Sequence, residues 1–241
     1  MIGVVTEPAP PAADAQALLF ARDVARLNRL RRAYERLVPA RLDPEAPSVG
    51  DALVRDCTAL FTDLRHFTRL MEGFADDPVP VMRVVNEHLA VAVGAVTRCG
   101  GVVEKFVGDG LLATFGARTD QPDHRERAVA AALGVIGANE ALNRRRSTDW
   151  GFRLECGAGV ASGRIVLGML GPPERAELGV LGDAVNVASR LVARARPGEV
   201  ILAGSVYRGL TGSVRADLLG RMAVRGRHGK IDLYRVSIKA A

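Results

Sequence analysis

Residues 102–115 read Val-Val-Glu-Lys-Phe-Val-Gly-Asp-Gly-Leu-Leu-Ala-Thr-Phe. Two short apolar runs, 102–106 and 111–115, flank Val107-Gly108-Asp109-Gly110, and a Gly/Asp turn between β-forming runs predicts a two-stranded hairpin. Upstream, residues 80–98 suit a helix that Gly100-Gly101 ends, and residues 52–62 suit a buried strand. Downstream, residues 123–146 suit a long amphipathic helix, with Asp123 near its start and three arginines at its end, as the helix dipole favours. Residues 152–168 and 176–181 then read as strands and 183–194 as a helix. Short strands follow, with one helix near 203–210. The order β-α-β-β-α-β with strands added after it predicts an α+β fold, a ferredoxin-like core with extra C-terminal strands.

The N-terminal quarter has a different character. Residues 1–14 are rich in Pro and Ala and predict disorder. In residues 15–42, Phe20, Val24, Leu27, Leu30, Tyr34 and Leu37 recur at helical spacing with arginines between them, and Pro39 closes the pattern. One apolar stripe on a basic helix needs a partner surface, so this helix is expected to dimerise or to receive a regulatory signal. Residues 43–51 read as a linker, and residues 52–241 as the remaining domain.

The chain of 241 residues has 33 Lys+Arg against 27 Asp+Glu, a formal charge of +6. That excess is confined to residues 15–42 and 221–241, while residues 43–220 are slightly acidic, which argues against nucleic acid as a partner. The longest run without a charged residue, 128–139, is too short to predict a transmembrane segment. Three cysteines without CxxC spacing predict neither disulfides nor a zinc site, and the start has no signal-peptide pattern. These features predict a cytoplasmic protein.

Asp63 follows the apolar run of the first strand, and Asp109 occupies the hairpin turn. In a ferredoxin-like sheet the first strand is central and neighbours the hairpin, so both carboxylates can emerge at one edge. Paired there, they suit two divalent cations about 3.5–4 Å apart, the arrangement of metal-assisted phosphoryl chemistry. Taken singly, each Asp reads more often as a cap or a turn former. Asn186 and Arg190 stand four apart on one helix face, where an amide and a guanidinium can hold a ribose and a phosphate; alone, they also fit a solvated face.

Together, FTDLRHFT (61–68), EKFVGDGLLATFG (104–116), ASGRIVLGMLG (161–171) and GVLGDAVNVASRL (179–191) resemble the successive motifs of the class III nucleotidyl cyclase catalytic domain, in order and over residues 52–237. Residues 31–39 also resemble the helix-and-proline segment that precedes many bacterial domains of this kind. The resemblance implies a homodimer with sites built across its interface. It implies two divalent cations per site, Mg²⁺ or Mn²⁺, on Asp63 and Asp109. Lys105 matches the lysine that contacts the base, Asn186 the asparagine that orients the ribose, and Arg190 the arginine that stabilises the transition state. Arg164 matches a position that reaches the triphosphate. Residues 224–229 resemble the family's basic segment, which gives the β- and γ-phosphates to Arg225 or Arg227.

The implied reaction is that of an adenylyl cyclase. The 3′-hydroxyl of ATP attacks the α-phosphorus, giving 3′,5′-cyclic AMP and pyrophosphate. At the position seven before Asn186, where the family places a polar reader of the base, this chain has Gly179. A cyclase of relaxed or different base preference, acting on GTP or a pyrimidine nucleotide, is therefore the alternative. A catalytically weak nucleotide-binding regulatory module is a second one, although that reading predicts the loss of a metal Asp, the Asn or the Arg, and all are present.

Overall fold

A computed structural model describes residues 22, 24, 25, 52–74, 76–172, 177–211, 214–223 and 229–237. The chain divides into two units, Met1–Asp43 and Pro44–Ala241. In the first, Arg22, Val24 and Ala25 are helical. The disorder expected at 1–14, the rest of the helix expected at 15–42, the linker at 43–51, and the tail residues Arg225 and Arg227 lie outside the described residues.

In the second unit the elements run β1 (Ala52–Arg65), α1 (Phe67–Gly73), α2 (Val79–Arg98), β2 (Val102–Val107), β3 (Gly110–Phe115), α3 (His124–Arg145), α4 (Ser147–Trp150), β4 (Glu155–Leu170), β5 (Glu177–Leu181), α5 (Asp183–Val192), β6 (Glu199–Ala203), α6 (Gly204–Tyr207), β7 (Asp217–Ala223) and β8 (Lys230–Ser237). They build an eight-stranded sheet of order β2-β3-β1-β4-β6-β8-β7, with β5 paired to the far end of β4. The first four strands have the expected ferredoxin-like order, with β1 between the hairpin and β4, and β5 to β8 are the expected C-terminal additions. β1 is antiparallel to both neighbours, while β4 and β6 run parallel.

Alternation along β1 and β4 sends side chains to two cores. On one face Leu60, Leu64, Leu111, Phe115 and Val160 pack with α2 and α3. On the other, Ala59, Phe61, Leu112, Ile165 and Ile201 pack under Val187, Ala188 and Leu191 of α5. Among the described residues α2 is long and apolar enough, by length and composition, to cross a membrane. Arg83 and Glu87 interrupt it, so it contains no long uncharged run. Here Val81, Val84, Leu89, Ala92 and Val96 are buried, the stripe of a helix laid on a sheet.

Two departures from the expected elements bear on the site. β1 was expected to stop at residue 62 and runs to Arg65, because β4 continues beside it through Asp63↔Gly157 and Arg65↔Glu155. Asp63 is thus inside the strand rather than past its end. The chain then turns through His66, which has a left-handed backbone (φ 60°), directly into α1, a helix with too few residues to leave a periodic signal.

Candidate active site

Asp63 has a strand on one side only. The β1–β3 ladder ends at Thr62↔Leu111, one residue before it, whereas the β1–β4 ladder passes it. By alternation with Ala59 and Phe61 it faces the α5 side of the sheet. The space left beside it is filled by the β2–β3 turn. A Cβ at Gly110 would lie 1.9 Å from the Thr62 carbonyl oxygen and 3.0 Å from Asp63 Cα, so only glycine lets the turn seat this closely on β1. That seat brings Asp109 against Asp63. Burial, and then the negative charge and hydrogen-bonding carboxyl of Asp109, push the Asp63 carboxyl up to about 6, against the opposing pull of Arg65. The Arg65 guanidinium donates to Asp63 Oδ2. Asp109 Oδ2 is buried with no hydrogen-bond partner among the described residues.

Two adjoining carboxylates, one with its ionisation pushed up toward neutral pH and one with an orphaned buried oxygen, are a donor set that fits hard divalent cations. Among the described residues no group of three or more His, Cys, Asp or Glu could hold a metal. A cation on Asp63 and Asp109 would take its other ligands from elsewhere. Magnesium held by one or two carboxylates and substrate phosphates has that pattern.

Helix α5 is laid directly on the sheet by glycines. A Cβ at Gly159 of β4 would lie 2.4 Å from both the Ala188 carbonyl oxygen and the Val192 nitrogen, and one at Gly182 would lie 2.7 Å from the Arg164 carbonyl oxygen. Ala184, Val185, Val187, Ala188, Leu191 and Val192 are buried beneath it. Asn186 is therefore exposed and Arg190 half-buried on the outward side. Lys105 of β2 is exposed opposite Leu112, which puts it on the same sheet face as Asp63. The side chains of Lys105, Arg164, Asn186 and Arg190 make no hydrogen bond or ion pair with the described residues.

Not all of the sequence-selected residues converge. By register Arg164 opposes Asp56, and Gly179 opposes Gly168, both on the sheet face away from Asp63. Gly179 is packed against Leu170, whose Cδ1 would lie 2.0 Å from a Cβ there. Three participants were not singled out from sequence. Arg65 is two residues from Asp63 and shares its face once β1 is extended, so the true strand length would have exposed it. Gly110 and Gly159 are signalled only by the tertiary neighbours they touch.

Residues 51–237 match the adenylate and guanylate cyclase catalytic domain. An adenylate cyclase of Anabaena cylindrica is 30% identical over 228 residues, covering 87% of this chain and 44% of the relative. Adenylate cyclase 1 of Rhizobium meliloti is 30% identical over 184 residues, 76% of this chain and 27% of the relative. The chain thus spans less than half the length of these curated relatives. Among solved structures, the guanylyl cyclase Cya2 superposes with a TM-score of 0.69 at 30% identity, covering 77% of this chain and 93% of that one. The adenylyl cyclase CyaB from P. aeruginosa gives 0.69 at 25% identity, covering 79% and 97%.

Proposed function

Because the chain belongs to the adenylate and guanylate cyclase catalytic-domain family, we propose that it converts a nucleoside triphosphate, ATP by preference, into the 3′,5′-cyclic nucleotide and pyrophosphate, at sites shared by two copies of the chain. The observation that carries this reading is the pairing of Asp63 with Asp109, one with its carboxyl raised to about 6, the other with a buried, unpartnered oxygen. Those carboxylates would hold two divalent cations, Mg²⁺ or Mn²⁺, which supply Lewis-acid activation of the 3′-hydroxyl and neutralise the departing pyrophosphate.

The chain's own residues do the positioning. Asp63 and Asp109 would present their carboxylates to the cations, and Arg65 holds Asp63 in place through its ion pair. Arg190 stabilises charge developing at the α-phosphate, and Asn186 orients the ribose so that the hydroxyl stands in line. Arg225 or Arg227 takes the triphosphate, whereas Arg164 lies on the opposite sheet face from Asp63. Asn186 and Arg190 point away from their own core and have no partner in it, which suits side chains that complete the metal site of a second copy.

Lys105 supports ATP, because an ammonium donates to the unprotonated N1 of adenine and meets only an N–H at that position of guanine. With no polar side chain at Gly179, discrimination falls to Lys105, and slower turnover of other bases is expected. Incubating the protein with ATP, GTP, CTP or UTP, with Mg²⁺ or Mn²⁺, and identifying products by mass spectrometry tests the reading. Cyclic AMP should dominate and depend on the metal. Absence of any cyclic nucleotide under every pairing would refute it.

A further inference from the structure

A histidine interrupts the apolar stripe of α2. His88 is fully buried, and its Nε2 has no hydrogen-bond partner among the described residues. The same holds of Thr62 Oγ1, on a residue 2% exposed, and of Asp109 Oδ2. Buried polar atoms are costly when left dry, so those that lack a protein partner are almost always bonded to an ordered water.

These three atoms belong to one region of the fold. Helix α2 ends at Arg98, and β2 starts at Val102 and runs back along it. His88 lies about 15 Å of helix before Arg98, and about 15 Å of strand beyond Val102 reaches Phe106 and Val107. Phe106 opposes Leu111, and Leu111 opposes Thr62. Val84 and Ala92, one turn to either side of His88, lie in the core that holds Leu60, Leu64 and Leu111. Thr62, between Leu60 and Leu64 on β1, shares their face by alternation. Helical side chains lean toward the helix N-terminus, so the imidazole leans from the level of Leu111 toward the β2–β3 turn. Asp109 stands in that turn, past the end of the β1–β3 ladder, at the end of the sheet rather than on either face.

The neighbours of His88 decide which nitrogen carries its proton. Asn139 Nδ2 donates to the Leu154 carbonyl at 2.7 Å, which turns the amide oxygen toward the imidazole, and His88 Nδ1 donates to that oxygen at 2.9 Å. Burial holds the imidazole below its usual value, against the pull of that hydrogen bond and of the nearby Asp109 charge. Nε2 is then an acceptor, as is the carboxylate oxygen of Asp109, and two acceptors cannot bond each other. One water can donate to both and accept from the Thr62 hydroxyl, which gives it the three bonds usual for a buried water.

We infer that a buried water bridges His88 Nε2, Thr62 Oγ1 and Asp109 Oδ2, and that His88 is thereby a positioning residue for Asp109. The inference rests on the reading of Asp109 as a metal ligand given above, and it adds what orients that ligand from behind. A carboxylate oxygen has two lone pairs, so Oδ2 can accept from the water and still face a cation; ligating carboxylates are commonly held in this way. The metal turn is then tied through His88 and Asn139 to the helices beneath the sheet.

The test titrates the full chain with Mn²⁺ alone at pH 7, by calorimetry. Asparagine places an amide nitrogen where His88 has Nδ1 and nothing where it has Nε2, whereas glutamine reaches the Nε2 position. His88→Asn should keep the bond to Asn139 and weaken Mn²⁺ binding about tenfold, the low end for a group behind a metal ligand. His88→Gln should stay within about twofold of the wild type. Thr62→Val keeps the shape and removes the hydroxyl; it should weaken Mn²⁺ binding about threefold, and it carries the binding test if the His88 variants fail to fold. A role confined to joining α2 to α3 through Asn139 predicts the reverse: His88→Gln the more damaging to melting temperature, and equal Mn²⁺ affinity in all. A crystal structure of the wild type should show one water within hydrogen-bond distance of all three atoms, and that of His88→Asn should show the Asp109 side chain turned.

The inference is overturned by wild-type density without that water, by unchanged Mn²⁺ affinity in His88→Asn or Thr62→Val, or by equal losses in His88→Asn and His88→Gln. If the wild type binds no Mn²⁺, the reading of the paired aspartates as metal ligands fails, and the crystal structures alone decide whether His88 orients Asp109.

Discussion

Asp63 shows how one side chain acquires chemistry from its neighbours. A carboxyl normally near 3.8 is raised to about 6, first by burial and then by Asp109. A group whose folded-state value lies above its unfolded one stabilises the fold at low pH. That contribution is complete below about pH 3.8 and is lost as the pH rises through 6. In chelator-treated protein, Asp63→Asn should therefore gain melting temperature relative to the wild type between pH 4.5 and 7, and added Mn²⁺ should raise the wild type alone at pH 7. Scanning calorimetry at the two pH values reads this directly; a difference independent of pH would contradict it. The residue identities were all legible in FTDLRHFT and GDG. The perturbation was not, since it comes from a turn 46 residues further along the chain.

At the scale of elements, glycines decide where functional side chains stand. Gly159 lets α5 touch β4, and the two atoms that an added methyl would strike are backbone, which cannot swing aside. Gly159→Ala should cost about 1–3 kcal/mol in urea unfolding and lower kcat by displacing Asn186 and Arg190 together. Gly134 of α3 offers the contrast. Its nearest neighbour would be Ala95 Cβ at 3.5 Å, so Gly134→Ala should stabilise by up to about 1 kcal/mol without changing activity. Strands, the two long helices and the hairpin could be read from periodicity and turn residues. The extension of β1 to Arg65 could not, because a strand lengthens where a partner strand is present to pair with it. Nor could the bulge at Glu104 of β2, where pairing shifts between Val103 and Lys105, although two adjacent polar residues in an apolar strand were its local trace.

For the molecule as a whole, the proposed division of the site between two copies makes a prediction that no single chain could satisfy. On the proposed reading Asp109→Ala removes a metal ligand and Arg190→Ala a transition-state contact, and each should depress kcat by on the order of 10²–10³. Mixed in equal amounts and allowed to exchange, half of the dimers contain one copy of each, and each such dimer has one intact site and one doubly damaged one. Activity should recover to about a quarter of the wild-type value. Additive residual rates after exchange would show that each chain carries its own complete site.

The sequence by itself determined the family, the order of the β-α-β-β-α-β core and the identity of the paired aspartates, since these are written in short motifs whose residue types the chemistry and the turns require. Tertiary structure alone decided which residues meet. Asp63 lies inside a strand because β4 runs past it, and Asp109 reaches it because Gly110 lets a turn sit on backbone. Lys105 shares a face with Asp63 because a one-residue bulge in β2 sets it opposite Leu112. A motif fixes residue types along the chain. The face a strand residue shows changes with every one-residue shift in register, and register is fixed by partners distant in sequence.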